Sequence, residues 1–176
     1  MRTAVVLSFL TLAISTAPLE AQNRHEGFWL GFGLGGGSNL DAGAGQKAGG
    51  AAYLRLGGTP TPQLLIGGEV LGWGRSEGNA TVGQANLTGD IAFYPSLNGG
   101  LFLKVGLGFA STSFQTTLGN VTTTIRDEGL GTTFGAGYDF KLGRNFYLTP
   151  NVDLLVQRIS GATGKLLLIT LGATWH

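Results

Sequence analysis

The chain ends on KLLLITLGATWH, residues 165–176, in which Leu167, Ile169, Leu171, Ala173 and Trp175 fall on one side of an extended strand. Thr170, Gly172 and Thr174 fall on the other. A period-two segment that closes on an aromatic residue, with no helix to cover its apolar side, suits a strand whose apolar face meets lipid. Seven similar strands should then precede it.

The preceding sequence supplies them. Residues 27–36 set Phe28, Leu30, Phe32 and Leu34 against Trp29 and alternating glycines, and residues 48–57 set Ala52, Leu54 and Leu56 against Tyr53 and Arg55. Residues 64–74 and 85–94 repeat the pattern, with Ile66 and Val70, then Leu87, Ile91 and Phe93, on the apolar side. A fifth strand starts at Leu101 and runs through Phe114, where Gly119 and Asn120 sit between two flanking arms like the turn of a hairpin. A sixth returns through Leu130, Phe134, Tyr138 and Phe140, and a seventh occupies 146–157. Pro150 lies inside the seventh and predicts a bulge or a missing ladder bond there. With the terminal stretch the count is eight.

Charged residues are only 12% of the chain, about half the share of a typical soluble domain. Beyond the N-terminus no apolar run is long enough for a membrane helix, so strands must do any spanning. A net charge of +1 without basic runs leaves no footprint for nucleic acid, and the lack of cysteine excludes disulfide frameworks and thiolate metal sites. Met1 and Arg2, the apolar run from Ala4 to Ile14 and the small residues up to Ala21 have the layout of a secretory signal peptide. The expected division is a signal peptide over 1–21, cut before Gln22, and one barrel domain over 22–176.

Which face is apolar separates a soluble ligand-binding barrel from a membrane barrel, because a membrane barrel needs an uninterrupted apolar exterior and hides its polar groups inside. The charges within the strands, Arg55, Glu69, Asp90, Lys104, Asp139 and Asp153, all lie opposite the apolar face. That predicts a polar network in the lumen, with Asp90 approaching Lys104 and Arg55 related to Glu69. Asp139 and Asp153 are left without an evident partner. Connections at 59–63, 95–100 and 141–145 read as short turns, and those at 37–47, 75–82, 110–127 and 158–164 as longer loops, an alternation expected of periplasmic turns and extracellular loops. Phe28, Phe93, Tyr138, Phe140, Phe146 and Trp175 are outward residues near the turn end and form a candidate periplasmic aromatic girdle.

The eight-strand plan, the segments FYPSLNGGLFLKVGLGFA (93–110) and FGAGYDFKLGRNFYLTPNVDLL (134–155), and the aromatic final strand resemble the small outer-membrane β-barrel family of OmpA/OmpX type. The resemblance covers nearly the whole chain after the signal segment. It implies residence in the bacterial outer membrane, contact with outer-membrane lipid, and a terminal strand read by the outer-membrane assembly machinery during biogenesis. His176 is a departure, since it follows Trp175 where the family usually ends on the aromatic. The family holds adhesins, membrane anchors and small channels, so activity stays open.

Other chemistry is weakly supported. Residues 31–36, GFGLGG, match a phosphate-binding glycine pattern but lie in an alternating strand with no helix after them. His25 and His176 are the only histidines, both at the expected periplasmic end, remote from most of the loop serines; this speaks against a histidine-dependent hydrolase, and two histidines alone make a poor metal site. The expectation is therefore an all-β protein, an eight-stranded antiparallel up-and-down transmembrane β-barrel. It is monomeric and non-enzymatic, has no cofactor or metal, and plays a structural or adhesin-like role through an extracellular ligand bound by its loops, above all the Thr-rich hairpin from 111 to 128. A narrow porin-like channel is the first alternative, and a lipid-active enzyme the second.

Overall fold

Each alternating segment forms a strand in a computed structural model that describes residues 27–40, 47–119 and 121–176. The strands are β1 (Gly27–Asn39), β2 (Ala48–Thr61), β3 (Leu64–Glu77), β4 (Ala80–Phe93), β5 (Leu101–Leu118), β6 (Val121–Tyr138), the two-residue β7 (Phe140–Lys141), β8 (Phe146–Ile159) and β9 (Ala162–Trp175). Every pairing is antiparallel and joins strands adjacent in the chain, apart from β1 with β9, which closes the sheet on itself, and β6 with β8. β7 continues the β6 position against the start of β8, so the wall has eight places. The protein is thus a closed eight-stranded antiparallel barrel. The expected signal peptide at 1–21 and His25 lie outside the described residues.

Side chains follow the period of two. Leu54, Ile66, Leu87, Val105, Phe134 and Ile169 stand exposed on the outer wall, while Tyr53, Leu71, Phe102, Thr133, Tyr147 and Leu168 are buried in the lumen. Leu155, Leu166 and Leu168 also point inward and are fully or almost fully buried, so the inner faces of β8 and β9 are less polar than their sequence alternation suggests. A lumen this narrow holds large rings only where the wall opposite is bare. A Cβ at Gly172 would collide with the Tyr53 hydroxyl and the Phe32 carbonyl, so glycine there is a requirement of packing.

The connections differ from expectation. The segments 75–82 and 158–164 are not loops: Glu77 pairs with Ala80 and Ile159 with Ala162, leaving two-residue turns. Ser160 and Gly161 both have positive φ, 50° and 82°, as a type I′ hairpin turn demands, and Gly78 takes φ 58° at the first turn position of its hairpin. The strands outrun the apolar alternation because ladder hydrogen bonding continues after side chains become polar; Thr81, Thr116 and Arg158 stay in register beyond the last outward leucine or phenylalanine. At the other rim β2 and β3 meet at the two residues 62–63, with a register shift between Gly58 and Thr61 beside Pro60, whereas 94–100 and 142–145 are longer. We call this rim, which holds the start of β1 and the end of β9, the near rim, and the opposite one the far rim.

Pro150 produces no bulge. Its strand stays in register with β9 from Phe146 to Ile159, and the missing N–H falls where the β6 ladder has ended, at Gly137 and Asn151. The sixth strand correspondingly stops at Tyr138, short of the expected Phe140, and Asp139 interrupts the wall.

The outer wall tests directly whether this barrel faces lipid. Val105, between Ile91 on β4 and Phe134 on β6, lies at the centre of the outward apolar run of β5 from Leu101 to Phe109. In urea unfolding from lipid vesicles, Val105→Arg should cost about 2–4 kcal/mol, and Thr124→Arg at the far end of β6 about 0–1 kcal/mol. Equal effects would mean that the wall faces water.

Candidate functional site

The inward residues sort into layers. Trp29, Leu65, Ala92, Tyr94 and Phe102 form an apolar layer toward the near rim, with the Tyr94 and Phe102 rings 5.4 Å apart. Ala51, Tyr53, Leu71, Trp73, Leu155, Leu166 and Leu168 form a second one toward the far rim. Between them runs a polar belt that contains Arg55, Glu69, Asp90, Lys104 and Asp153, each at most 6% exposed.

Lys104 is the hub of the belt. Its Nζ donates to both carboxylate oxygens of Glu69 at 2.6 Å and stands 2.9 Å from Asp153 Oδ1. The second contact passes across β6 at Gly135, where a Cβ would collide with the Asp153 carboxylate and press on the Lys104 side chain. The partners thus differ from those expected. Asp90 lies on the strand next to Lys104 yet does not bond it, because Lys104 turns to β3 and β8. Arg55 faces Glu69 in register, but Glu69 is committed to Lys104. The guanidinium donates instead to Asn151 Oδ1 at 3.4 Å and Thr174 Oγ1 at 3.2 Å, and sits 5.0–5.9 Å from the ring centroids of Tyr53, Phe102 and Trp29.

Asp153, left without an evident partner by the alternation, is therefore one of the two acids of the central triad, while among the described residues Asp90 pairs with no cation. Asp139 belongs to a separate cluster at the near rim. It accepts from Tyr94 Oη and Thr149 Oγ1, both at 2.6 Å, and His176 Nε2 lies 3.8 Å away. His176 is buried there, edge-on to Tyr147, with its backbone N–H donating to Asn145 O. A third polar group joins Gln157, Asn86 and Thr133 across β8, β4 and β6. Thr149, Asn151 and Thr174 were legible as inward residues from alternation, but nothing in the sequence marked them as partners of Arg55 or Asp139.

Phe28, Phe93, Tyr138, Phe140, Phe146 and Trp175 all stand on the outer surface at the near rim. The rings of Tyr138 and Phe140 are 4.6 Å apart across the break at Asp139, and Phe146 pairs with Trp175 in register.

At the far rim the wall is uneven. β6 pairs with β5 over its whole length, from Val121 opposite Leu118 to Tyr138 opposite Leu101, but with β8 only from Gly129 onward. Residues 121–128 therefore project with one edge unpaired among the described residues, roughly 27 Å of strand at 3.4 Å per residue. Asp139 N–H donates to Gly100 O on the β5 side, so by alternation the amides of Thr122, Thr124 and Arg126 turn to the open edge.

No family model and no curated protein sequence matches the chain. Solved structures do. Ail, the attachment invasion locus protein of Yersinia pestis, superposes with a TM-score of 0.59 at 14% identity, covering 85% of this chain and 98% of its own. Neisserial surface protein A gives 0.59 at 11% identity, with 85% and 97% covered. The N-terminal β-barrel domain of Pseudomonas aeruginosa OprF gives 0.55 at 12% identity, with 86% and 99% covered. The chain has the fold of these small outer-membrane barrels.

The triad geometry makes a sharp contrast between neighbouring residues. Lys104→Met leaves two buried carboxylates without their cation and should cost about 3–5 kcal/mol in vesicle unfolding, most of it recovered when Glu69→Gln and Asp153→Asn are added. Asp90→Asn, which removes a buried charge paired with no cation among the described residues, should be neutral or stabilising.

Proposed function

We propose that the chain is a monomeric, non-enzymatic integral outer-membrane barrel, exported with a cleaved signal peptide over 1–21 and inserted by the outer-membrane assembly machinery. The far rim faces the outside and acts by binding an extracellular partner. The near rim faces the periplasm, with Phe28, Phe93, Tyr138, Phe140, Phe146 and Trp175 as its interfacial girdle.

The projecting β5–β6 hairpin is the observation that carries this reading. Unpaired strand edges are usually capped, charged or shortened because they recruit other strands. This one keeps its charges, Arg126 to Glu128, at its base, has no proline, is rich in β-branched threonine over 122–124, and among the described residues pairs with β5 alone. Such an edge suits recognition by strand addition, in which backbone hydrogen bonds supply affinity and alternate side chains supply selectivity. Ail, whose fold this chain shares, has been crystallised in complex with the heparin analogue sucrose octasulfate, at a TM-score of 0.57 and 15% identity, so binding of an external ligand by a barrel of this fold has a precedent.

The channel reading is the weaker one. Two apolar layers bracket the polar belt, and the void beside Asp90, between Trp29, Arg55 and Phe102, is about 10 Å³, room for about one water. The purified barrel in planar bilayers should give no steady conductance above the lipid background. Replacing 112–127 with a two-residue turn should leave the boiling-dependent gel shift of the closed barrel intact while abolishing adhesion of expressing cells to host-cell or matrix surfaces. Adhesion that survives the truncation would move the binding surface elsewhere, and stable single-channel steps that disappear in Lys104→Met would favour the channel.

A further inference from the structure

The far mouth of the lumen holds a cavity of about 610 Å³, within the usual range of small-molecule sites. It is blind: Trp73, held by its Nε1–H donating to Gly37 O at 3.1 Å, belongs to the apolar layer that closes the lumen beneath it. The register orders its wall by depth. Trp73 and Gln84 face each other at the foot, Arg75 and Val82 come two residues higher with Phe114 beside Val82, and Glu77 stands at the lip. Two residues along a strand are about 7 Å.

Each level carries a different chemistry. At the foot, Gln84 Oε1 is buried and has no hydrogen-bond partner among the described residues, so it lacks a donor there. In the middle, Val82 and Phe114 offer apolar walls. At the lip, two cations share one acid: Glu77 Oε2 is 2.9 Å from Arg75 and 3.1 Å from Lys47, which leaves one positive charge uncompensated among the described residues of the cavity. From this order we infer that the mouth binds a small hydroxylated aromatic carboxylate, its ring against the wall made by Val82 and Phe114, its hydroxyl donating to Gln84 and its carboxylate against Arg75 and Lys47. The site uses Lys47 and the inner wall of β3 to β5 and not the open edge of β6, so point variants at Arg75, Glu77 and Gln84, which leave the hairpin intact, test it apart from the adhesive role.

Glu77 is the built-in competitor. The Lys47 hydrogen bond, with the charge of Arg75 beside it, holds its carboxyl below the ordinary glutamate value, so at neutral pH it is ionised and occupies the cations a ligand would use. An apolar pocket without ionic selectivity would not respond to this residue, whereas an anion site must.

The test is fluorine NMR of 3-fluoro-4-hydroxyphenylacetate with the folded protein in lipid nanodiscs, each variant first confirmed as a closed barrel by its unboiled gel shift. Saturable line broadening absent from protein-free nanodiscs is expected. Arg75→Gln should weaken it about fivefold, the size of one partly exposed ion pair, and Glu77→Gln should strengthen it by a similar factor. Gln84→Leu should abolish the preference for this probe over 3-fluorophenylacetate. No saturable broadening, equal binding of the uncharged amide, or weaker binding in Glu77→Gln would each overturn the assignment. Glu77 lies at an exposed strand end, so that last variant does not endanger the fold.

Discussion

Closure of the ladder between β1 and β9 is the constraint on which the other features rest. In the membrane setting proposed above, a wall that turns leucine, valine and phenylalanine outward has no water on that side to satisfy stray backbone groups, and each unsatisfied group in lipid costs several kcal/mol. An open edge within the apolar zone is therefore excluded. With eight places in the wall, closure leaves an interior about as wide as the side chains that fill it. The glycines opposite Tyr53 and Asp153, the small polar residues of β9 and the full burial of Leu71, Leu155 and Leu168 are consequences of that width.

Width also decides the electrostatics. Two cations and four carboxylates share a narrow lumen, so each charge must find a partner across the bore or remain buried alone. Lys104, long and unbranched, reaches two acids on strands that are not its neighbours. Arg55, broader and planar, is held among three rings and the oxygens of Asn151 and Thr174, an arrangement a lysine would not reproduce. Asp90 is left over. A belt organised in this way locks strands at fixed register, which is a better account of its burial than transport through a bore closed by Trp29, Phe102, Tyr53 and Trp73.

The far rim is free of this constraint. Once the strands leave the apolar belt, water satisfies an open edge, and β6 is allowed to outrun β8. The strand ends then differ in height, which creates both the projecting hairpin and a recessed mouth on the other side of β5. Features that suit recognition gather at this rim because it is the part of the barrel where closure is not enforced.

What the sequence determined by itself was sidedness. Successive Cβ atoms point to opposite faces, so alternation alone assigned Arg55, Glu69, Asp90, Lys104, Asp139 and Asp153 to the lumen and Phe28, Phe93 and Trp175 to the exterior; the strand count and the up-and-down order followed from the same signal. Strand ends were not legible, because hydrogen bonding persists through threonine, serine and arginine after the apolar period stops, and segments such as 75–82 and 158–164 resembled loops until Gly78 and the Ser160–Gly161 pair proved to be tight turns. Partnership across the bore was not legible either. Lys104 met Glu69 and Asp153 instead of Asp90, and His176 turned in against Tyr147 near Asp139, because those distances depend on curvature, tilt and side-chain reach in the closed barrel. A period of two carries the face of a residue and nothing about which of seven other strands it meets; only the closed tertiary structure decides that.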